Sequence, residues 1–268
     1  MKTNKQTMAK GIQSVDTAFK VLHALQSGAQ PMLLKDLAAH VDMSASKTRM
    51  YLVSLLRTGL VSQNAASAYT LGPAALNLGL AAFTQIDLAE TARTLMSELT
   101  QETQAPALLS MWTGSSITII GRNDSLINLP IDFRIGGKSS LIHTATGHIY
   151  LAYLPNEITR PYVEQELAHV PVSVHKPITQ DFLEERVRVI RQQGYDVSDE
   201  VVLASDPGVT IQGYGAIATP VVDIFQELRF VITALYRKSD DKHEALLVQH
   251  VLKRIRDTLP SPALQSTP

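Results

Sequence analysis

A chain of 268 residues is long enough for one large domain or two of ordinary size. Its 45% apolar and 18% charged residues exclude a disordered chain, and the absence of cysteine excludes disulfides and thiolate metal sites. The net charge of −1 hides an asymmetry, since residues 1–70 carry +5 and the remainder −6, which suits a polyanion-binding head on a body that a polyanion repels.

The opening residues 1–10 are polar and basic and are expected to form a mobile arm. They contain no apolar stretch of the kind a secretory signal needs, and no later run reaches the roughly 20 residues of a membrane helix, so a cytoplasmic location is expected. Val15, Ala18, Phe19, Leu22 and Leu25 recur at helical spacing and predict a first helix that buries this stripe. Residues 33–57, LLKDLAAHVDMSASKTRMYLVSLLR, read as two short amphipathic helices joined by a tight turn. Leu34, Leu37, Ala38 and Val41 face inward in the first. The turn carries Asp42, a residue that tolerates the left-handed conformation better than most.

Ser44 is then placed to cap the second helix. Leu52, Leu55 and Leu56 form its buried stripe, while Ser44, Ser46, Lys47 and Arg49 face outward near its start. Hydroxyl and basic groups in that position reach base edges and phosphates in a major groove, although a helical hairpin with a solvated basic face has the same pattern. Leu60-Val61 and Tyr69-Thr70-Leu71 are short β-type runs around a polar segment, and predict a two-stranded wing. Helix, helix-turn-helix and wing together describe a winged helix over 11–71.

Gly72-Pro73 marks a break and the first turn of a new helix. Residues 74–83, AALNLGLAAF, are apolar nearly all round, with Leu76, Leu80 and Phe83 along one line. A helix of that kind needs a partner, either its copy in a second subunit or its own chain. The second segment, 88–259, alternates helices with strands. Helices are expected at 88–104, 143–154, 157–167, 179–193 and 240–259, the last burying Leu246, Leu247 and Val251. Strands are expected at 107–112, 116–121, 214–222 and 227–236, with a short strand and a glycine-containing loop in 122–142. The fold class is therefore α+β, with residues 260–268 as a disordered tail.

Catalytic and metal motifs are not found. Gly137-Lys138-Ser139 ends like a phosphate loop, but the earlier glycine the motif requires falls on Asp132. His243-Glu244 opens like a zinc-protease helix, but the second histidine would fall on Leu247. No serine sits in a G-x-S-x-G elbow, and His143, His148, His169 and His175 are scattered, so no metal or cofactor is expected.

The chain resembles the isocitrate lyase regulator (IclR) family of bacterial transcription factors along nearly its whole length. The resemblance begins at Gly11-Ile12-Gln13-Ser14-Val15-Asp16-Thr17-Ala18 and continues through the helix-turn-helix to Tyr69-Thr70-Leu71-Gly72-Pro73. It resumes at His143-Thr144-Ala145-Thr146-Gly147-His148, at 194–200 and at 216–221. It implies a winged helix at 11–71, a linker and dimerisation helix at 72–87, and a GAF-like α/β effector-binding domain at 88–259, assembled as a homodimer or dimer of dimers. It implies operator DNA as one partner and a small carboxylate or aromatic acid as another. Carried over, the recognition-helix positions are Ser44, Ala45, Ser46, Lys47, Arg49 and Met50, the last standing where a basic residue is common. The effector positions are Ala145 and Thr146, whose loop donates backbone N–H groups, Asp199, Ala216 and Thr233. Ala216 replaces a frequent cysteine, His148 a usual lysine, and the span from Asp199 to Ala216 is several residues longer than usual. A less polar pocket would favour a bulkier or aromatic effector. Trp112, Met111 and Tyr214 suit core and pocket wall equally. Two rival readings are a hydrolase or acyltransferase with an accessory DNA-binding domain, and a non-specific architectural DNA binder.

Overall fold

Helix α1 (Gln13–Ser27) forms where the periodicity predicts it, and its inward face is the predicted stripe rotated away from Val15 and Phe19. Val21, Ala24 and Leu25 are buried, Ala18 and Leu22 lie at the margin, and Val15 and Phe19 are exposed, Phe19 by 56%. The helix carries two overlapping apolar stripes, and spacing alone does not say which one meets its neighbours. The computed structural model describes residues 11–28, 31–84, 89–124, 133–168, 178–203, 206–211, 213–223 and 225–238, with Leu246, Gln249, Leu252 and Lys253. The chain divides into two units, Met1–Ile86 and Asp87–Pro268.

In the first unit α2 (Leu34–His40) ends in a Schellman turn: Met43 N–H bonds Ala38 C=O at 3.0 Å and Asp42 N–H bonds Ala39 C=O at 3.3 Å. Asp42 takes the expected left-handed conformation, φ 53°. Helix α3 (Ala45–Arg57) follows, and β1 (Val61–Gln63) pairs antiparallel with β2 (Tyr69–Leu71) as the wing. The wing turn runs through Asn64, whose side chain accepts the Ala68 N–H, and Ser67, φ 61°. Val21, Leu37, Leu52, Leu55, Val61 and Tyr69 make the core, with Leu56 only partly buried beside it. Pro73 starts α4 (Pro73–Thr84). A Cβ on Gly72 would lie 2.3 Å from the Gly59 carbonyl oxygen, so only glycine lets this turn pack against the start of the wing. Leu76, Leu78 and Leu80 of α4 are exposed in the single chain.

The second unit begins with α5 (Ala89–Thr103), β3 (Ala107–Trp112), β4 (Ile117–Asn123) and β5 (Lys138–Ser139). Then come α6 (Ala145–Tyr153), α7 (Asn156–Ala168) and α8 (Gln180–Gln193). It ends, apart from the last helix, with β6 (Asp196–Ser198), β7 (Val201–Leu203), β8 (Asp206–Ile211), β9 (Tyr214–Val222) and β10 (Leu228–Arg237). An antiparallel sheet runs β5-β4-β3-β10-β9-β6, and β7 and β8 form a separate ribbon. Side chains alternate across the sheet. Leu108, Val231 and Leu235 face α6 and share its core, whereas Leu109 and Gly121 lie toward Met96 of α5. The mixture is the α+β arrangement expected.

Lys138-Ser139 lies in the edge strand β5 and not at a phosphate loop. Of the expected last helix, Leu246, Gln249, Leu252 and Lys253 are described and helical. Leu246 is exposed, contrary to expectation, and Leu252 occupies the buried position. Leu247, Val251, the arm 1–10, the tail 260–268, His169, His175 and His243-Glu244 lie outside the described residues.

Candidate functional site

The first site is the outer surface of α3. Ser44 Oγ accepts the Lys47 N–H at 3.3 Å and fixes the helix start, as its position predicts. Its carbonyl takes both the Thr48 amide and the Thr48 hydroxyl, which pins the fully buried Thr48 beneath the turn. Ser44, Ala45, Ser46, Lys47, Arg49 and Met50 are all exposed. At about 100° per residue, Ser46, Met50, Val53 and Arg57 line up opposite Thr48, Leu52 and Leu55, with Lys47 and Arg49 on the flanks. Met50 is 71% exposed at the middle of that face and Val53 is exposed beside it. Sequence reading overlooked Val53 and Arg57; carrying the helical period one turn further would have found them. The helix bears Lys47, Arg49 and Arg57 and no acidic residue, so its field attracts phosphates while the wing contributes only uncharged polar groups such as Gln63 and Asn64.

The second site is a cavity of about 40 Å³ in the second unit, beside the N-terminus of α6. Ala145, Thr146, Ala216 and Thr233 all line it, although they come from a helix and two strands. Asp199 does not; the lining acid is its neighbour Glu200, the second residue of the bend between β6 and β7. Asp199 is exposed and its carbonyl accepts the Lys238 ammonium. Ser110, Ser139 and Thr144 add hydroxyls, and Leu108, Ile119 and Phe133 add apolar wall. The Thr146 and Thr233 hydroxyls bond each other at 2.7 Å across the cavity wall. Trp112, Met111 and Tyr214 are not in the lining; Tyr214 is buried in the main core and Trp112 packs on its edge.

Helix α6 is presented to the cavity by a tightly bonded loop. Thr144 caps the helix, accepting the Gly147 N–H at 2.9 Å and donating to the Ser140 carbonyl at 2.7 Å. The Glu166 carboxylate of α7 accepts the Ser140 hydroxyl at 2.5 Å and the Leu141 and Ile142 N–H groups at 3.0 and 3.2 Å. The amides of Ala145 and Thr146, in the first turn, have no acceptor within the helix. They and the helix dipole favour an anion at this end of the cavity, and no described lining residue is Lys or Arg.

Behind the cavity lies a buried polar cluster that sequence reading missed. His148 Nδ1 meets Asp196 Oδ2 at 2.7 Å and His148 Nε2 donates to the Ile142 carbonyl at 2.9 Å. Asp196 is fully buried, with Arg186 Nε 3.3 Å from its other oxygen. Tyr150 donates to the Ser110 carbonyl at 2.9 Å, and burial pushes its phenol well above the usual range, so it stays protonated. Burial also lowers the His143 imidazole below its ordinary 6.5, against an upward pull from Glu166 and with a smaller downward push from His148.

A winged head reads duplex DNA with the second helix of its helix-turn-helix, here α3, and a cavity at a helix N-terminus in a separate unit holds a small molecule. A chain with both is a ligand-responsive, DNA-binding transcriptional regulator. The family described as "IclR helix-turn-helix domain" matches residues 14–65, and "Bacterial transcriptional regulator IclR C-terminal" matches 80–258. The chain belongs to the IclR family. It is 29% identical over 262 residues to the HTH-type transcriptional regulator KdgR of Dickeya chrysanthemi, covering 94% of this chain and 83% of that one. An IclR transcriptional regulator from Alicyclobacillus acidocaldarius superposes with a TM-score of 0.75 at 21% identity, covering 94% and 98% of the two chains. An IclR homologue from Microbacterium hydrocarbonoxydans, complexed with 4-hydroxybenzoate, does so with a TM-score of 0.71 at 14% identity, covering 91% and 98%.

Proposed function

We propose that the chain regulates a catabolic gene cluster by binding operator DNA through α3 and a small organic or aromatic acid in the cavity at α6. The observation that carries the effector half is the convergence of Ala145, Thr146, Ala216 and Thr233 on one cavity at a helix N-terminus. In this reading the acid's carboxylate takes the first-turn amides of α6, and its body lies against Leu108, Ile119 and Phe133. Glu200, the acid of the lining, accepts a hydroxyl of the ligand and does not meet the carboxylate.

In the same reading residues 1–10 are a basic arm, 11–71 the DNA-binding head, 72–87 the linker helix, 88–259 the effector domain and 260–268 a tail. The exposed leucines of α4, the exposed Val15 and Phe19 of α1 and Ile12 just before it support assembly as a homodimer or dimer of dimers. Two heads then reach successive major grooves, and effector binding acts by its different affinity for two spacings of the heads. The location is cytoplasmic; no helix among the described residues is long and apolar enough to cross a membrane. The chain is not an enzyme in this reading and needs no cofactor.

The test is a thermal-shift screen of catabolic acids, beginning with 4-hydroxybenzoate because a neighbour of the same fold is complexed with it, followed by footprinting with each hit. An acid that raises the melting temperature and shifts operator occupancy supports the reading. Retention of that response in Ala216→Trp, which fills the cavity, would exclude the cavity as its site. Turnover of an ester or thioester by the chain would instead favour a hydrolase or acyltransferase with an accessory DNA-binding head.

A further inference from the structure

An apolar cavity that takes a benzene ring has about 150 Å³, and this one has about 40 Å³. A ring-bearing acid needs several times that, so the walls must part to admit one. One wall is Ser139, Thr144 and the first turn of α6, and a second is the segment Glu200–Val202 that follows β6, beside residues of β3, β4, β9 and β10. His148 lies one turn into α6 and bonds back to the Ile142 carbonyl, between Ser139 and Thr144 of the first wall, while Asp196 starts the strand that leads to the second. The His148–Asp196 contact therefore joins the two walls from behind.

We infer that His148 and Asp196 are positioning residues that hold the cavity closed, so that separating this pair is part of admitting an effector. The proposal rests on the effector reading above. The donor count explains why the pair is a strong tie. Nε2 must carry a proton, because the Ile142 carbonyl only accepts. A second proton lies between Nδ1 and the Asp196 carboxylate, 2.7 Å apart, in a site from which water is excluded. Arg186 reinforces the far end. Its guanidinium faces the other Asp196 oxygen, donates to the Val197 carbonyl and lies 5.8 Å over the Phe182 ring, which meets the His148 ring in a T-shaped contact. Loop, α6, α8 and β6 thus meet at one buried hydrogen-bonded pair, one helical turn from the cavity. Parting the walls puts that pair at a longer distance, which lowers the fraction of the chain ready to bind and weakens the apparent affinity by the same factor.

The experiment is amide hydrogen exchange on the full chain and on Asp196→Asn, without ligand, followed by titration of both with 4-hydroxybenzoate. Exchange should rise about tenfold or more at Leu141, Ile142 and Gly147 and in the β6 and β7 ladders, since breaking a buried hydrogen bond leaves its partners unsatisfied and is destabilising locally. The β3–β10 ladder should be unaffected, and 4-hydroxybenzoate should bind the variant more tightly than the wild type. An unchanged pattern, a rise of equal size in every ladder, or weaker binding by the variant would overturn the proposal. Should neither protein bind the acid while both walls still open selectively, the closure stands and the effector reading is what fails. If Asp196→Asn does not fold, His148→Gln keeps a donor for the Ile142 carbonyl and serves the same comparison.

Discussion

Met50 gives the sharpest test of how α3 reads DNA. It stands at the centre of the outward face, 71% exposed, where a basic residue would contribute charge. A methionine supplies only apolar surface, and the apolar feature of the major groove is the thymine methyl. Burying a methionine completely is worth about 1.5–3 kcal/mol, so the 71% still available on α3 is worth at most about 1–2 kcal/mol in the groove. Met50→Ala keeps the Cβ and should lose about 1 kcal/mol, roughly a fivefold drop in affinity. The assay is fluorescence anisotropy at fixed salt on a duplex selected from random sequence, with each thymine replaced in turn by uracil. Wild type should be weakened at the one or two steps whose methyl it touches. Met50→Ala should be indifferent to those same replacements, because the contact is already lost. The salt slope should not change, since no charge is removed. Equal affinity of variant and wild type, or an undiminished uracil effect in the variant, would refute a methyl contact by Met50.

Three further outcomes are expected. Lys47→Ala should weaken binding to all duplexes alike and reduce the slope of log affinity against log salt by about 0.9, the share of one phosphate contact; an unchanged slope would remove Lys47 from the interface. Gly147→Ala should lower the urea midpoint by the equivalent of about 1–3 kcal/mol, because its Cβ would lie 2.2 and 2.4 Å from the Ser140 and Leu141 carbonyl oxygens; an unmoved midpoint would show that this loop gives way freely. His143→Gln concerns acid stability. The folded His143 has a lowered pKa, so as pH falls below its ordinary 6.5 the unfolded chain takes up the proton first and stability is lost, while above 6.5 the effect is absent. Urea unfolding of the variant should therefore lose less stability than wild type between about pH 7 and pH 5, and parallel curves would contradict the assignment.

What could be read in the sequence was what neighbouring residues decide among themselves. Ser44 caps α3 and Asp42 turns the chain before it because both effects need only the next three or four residues. The face of α1 could not be read, since Val15 and Phe19 satisfy a helical period as well as Val21 and Leu25 do, and the choice is made by α2 and α3. Strands β6, β7 and β8 left no usable signal. Three residues such as Asp196–Ser198 are too few for alternation, and they are strand because β9 pairs with them through Asp196↔Ala218 and Ser198↔Ala216. The shift from Asp199 to Glu200 in the cavity lining is likewise not local, because family position does not fix which residue of the bend between β6 and β7 meets the cavity.

The polar interior of the second unit was illegible for a stronger physical reason. His148 and Asp196 are separated by 48 residues, and Glu166 is 24 to 26 residues from the loop it bonds. Each side chain alone has the profile of a surface residue, and its burial is tolerable only with a partner that the linear sequence does not identify. The −6 balance of residues 71–268 is therefore not simply a repulsive surface. Asp196 and Glu166 are spent on holding the elements around the cavity, whereas on the head Lys47, Arg49 and Arg57 remain exposed. Charge in the effector unit fixes the shape of a site, and charge in the head stays available to a phosphate backbone. Exchanging the two uses would leave unpaired buried carboxylates in one unit and remove the long-range attraction of the other.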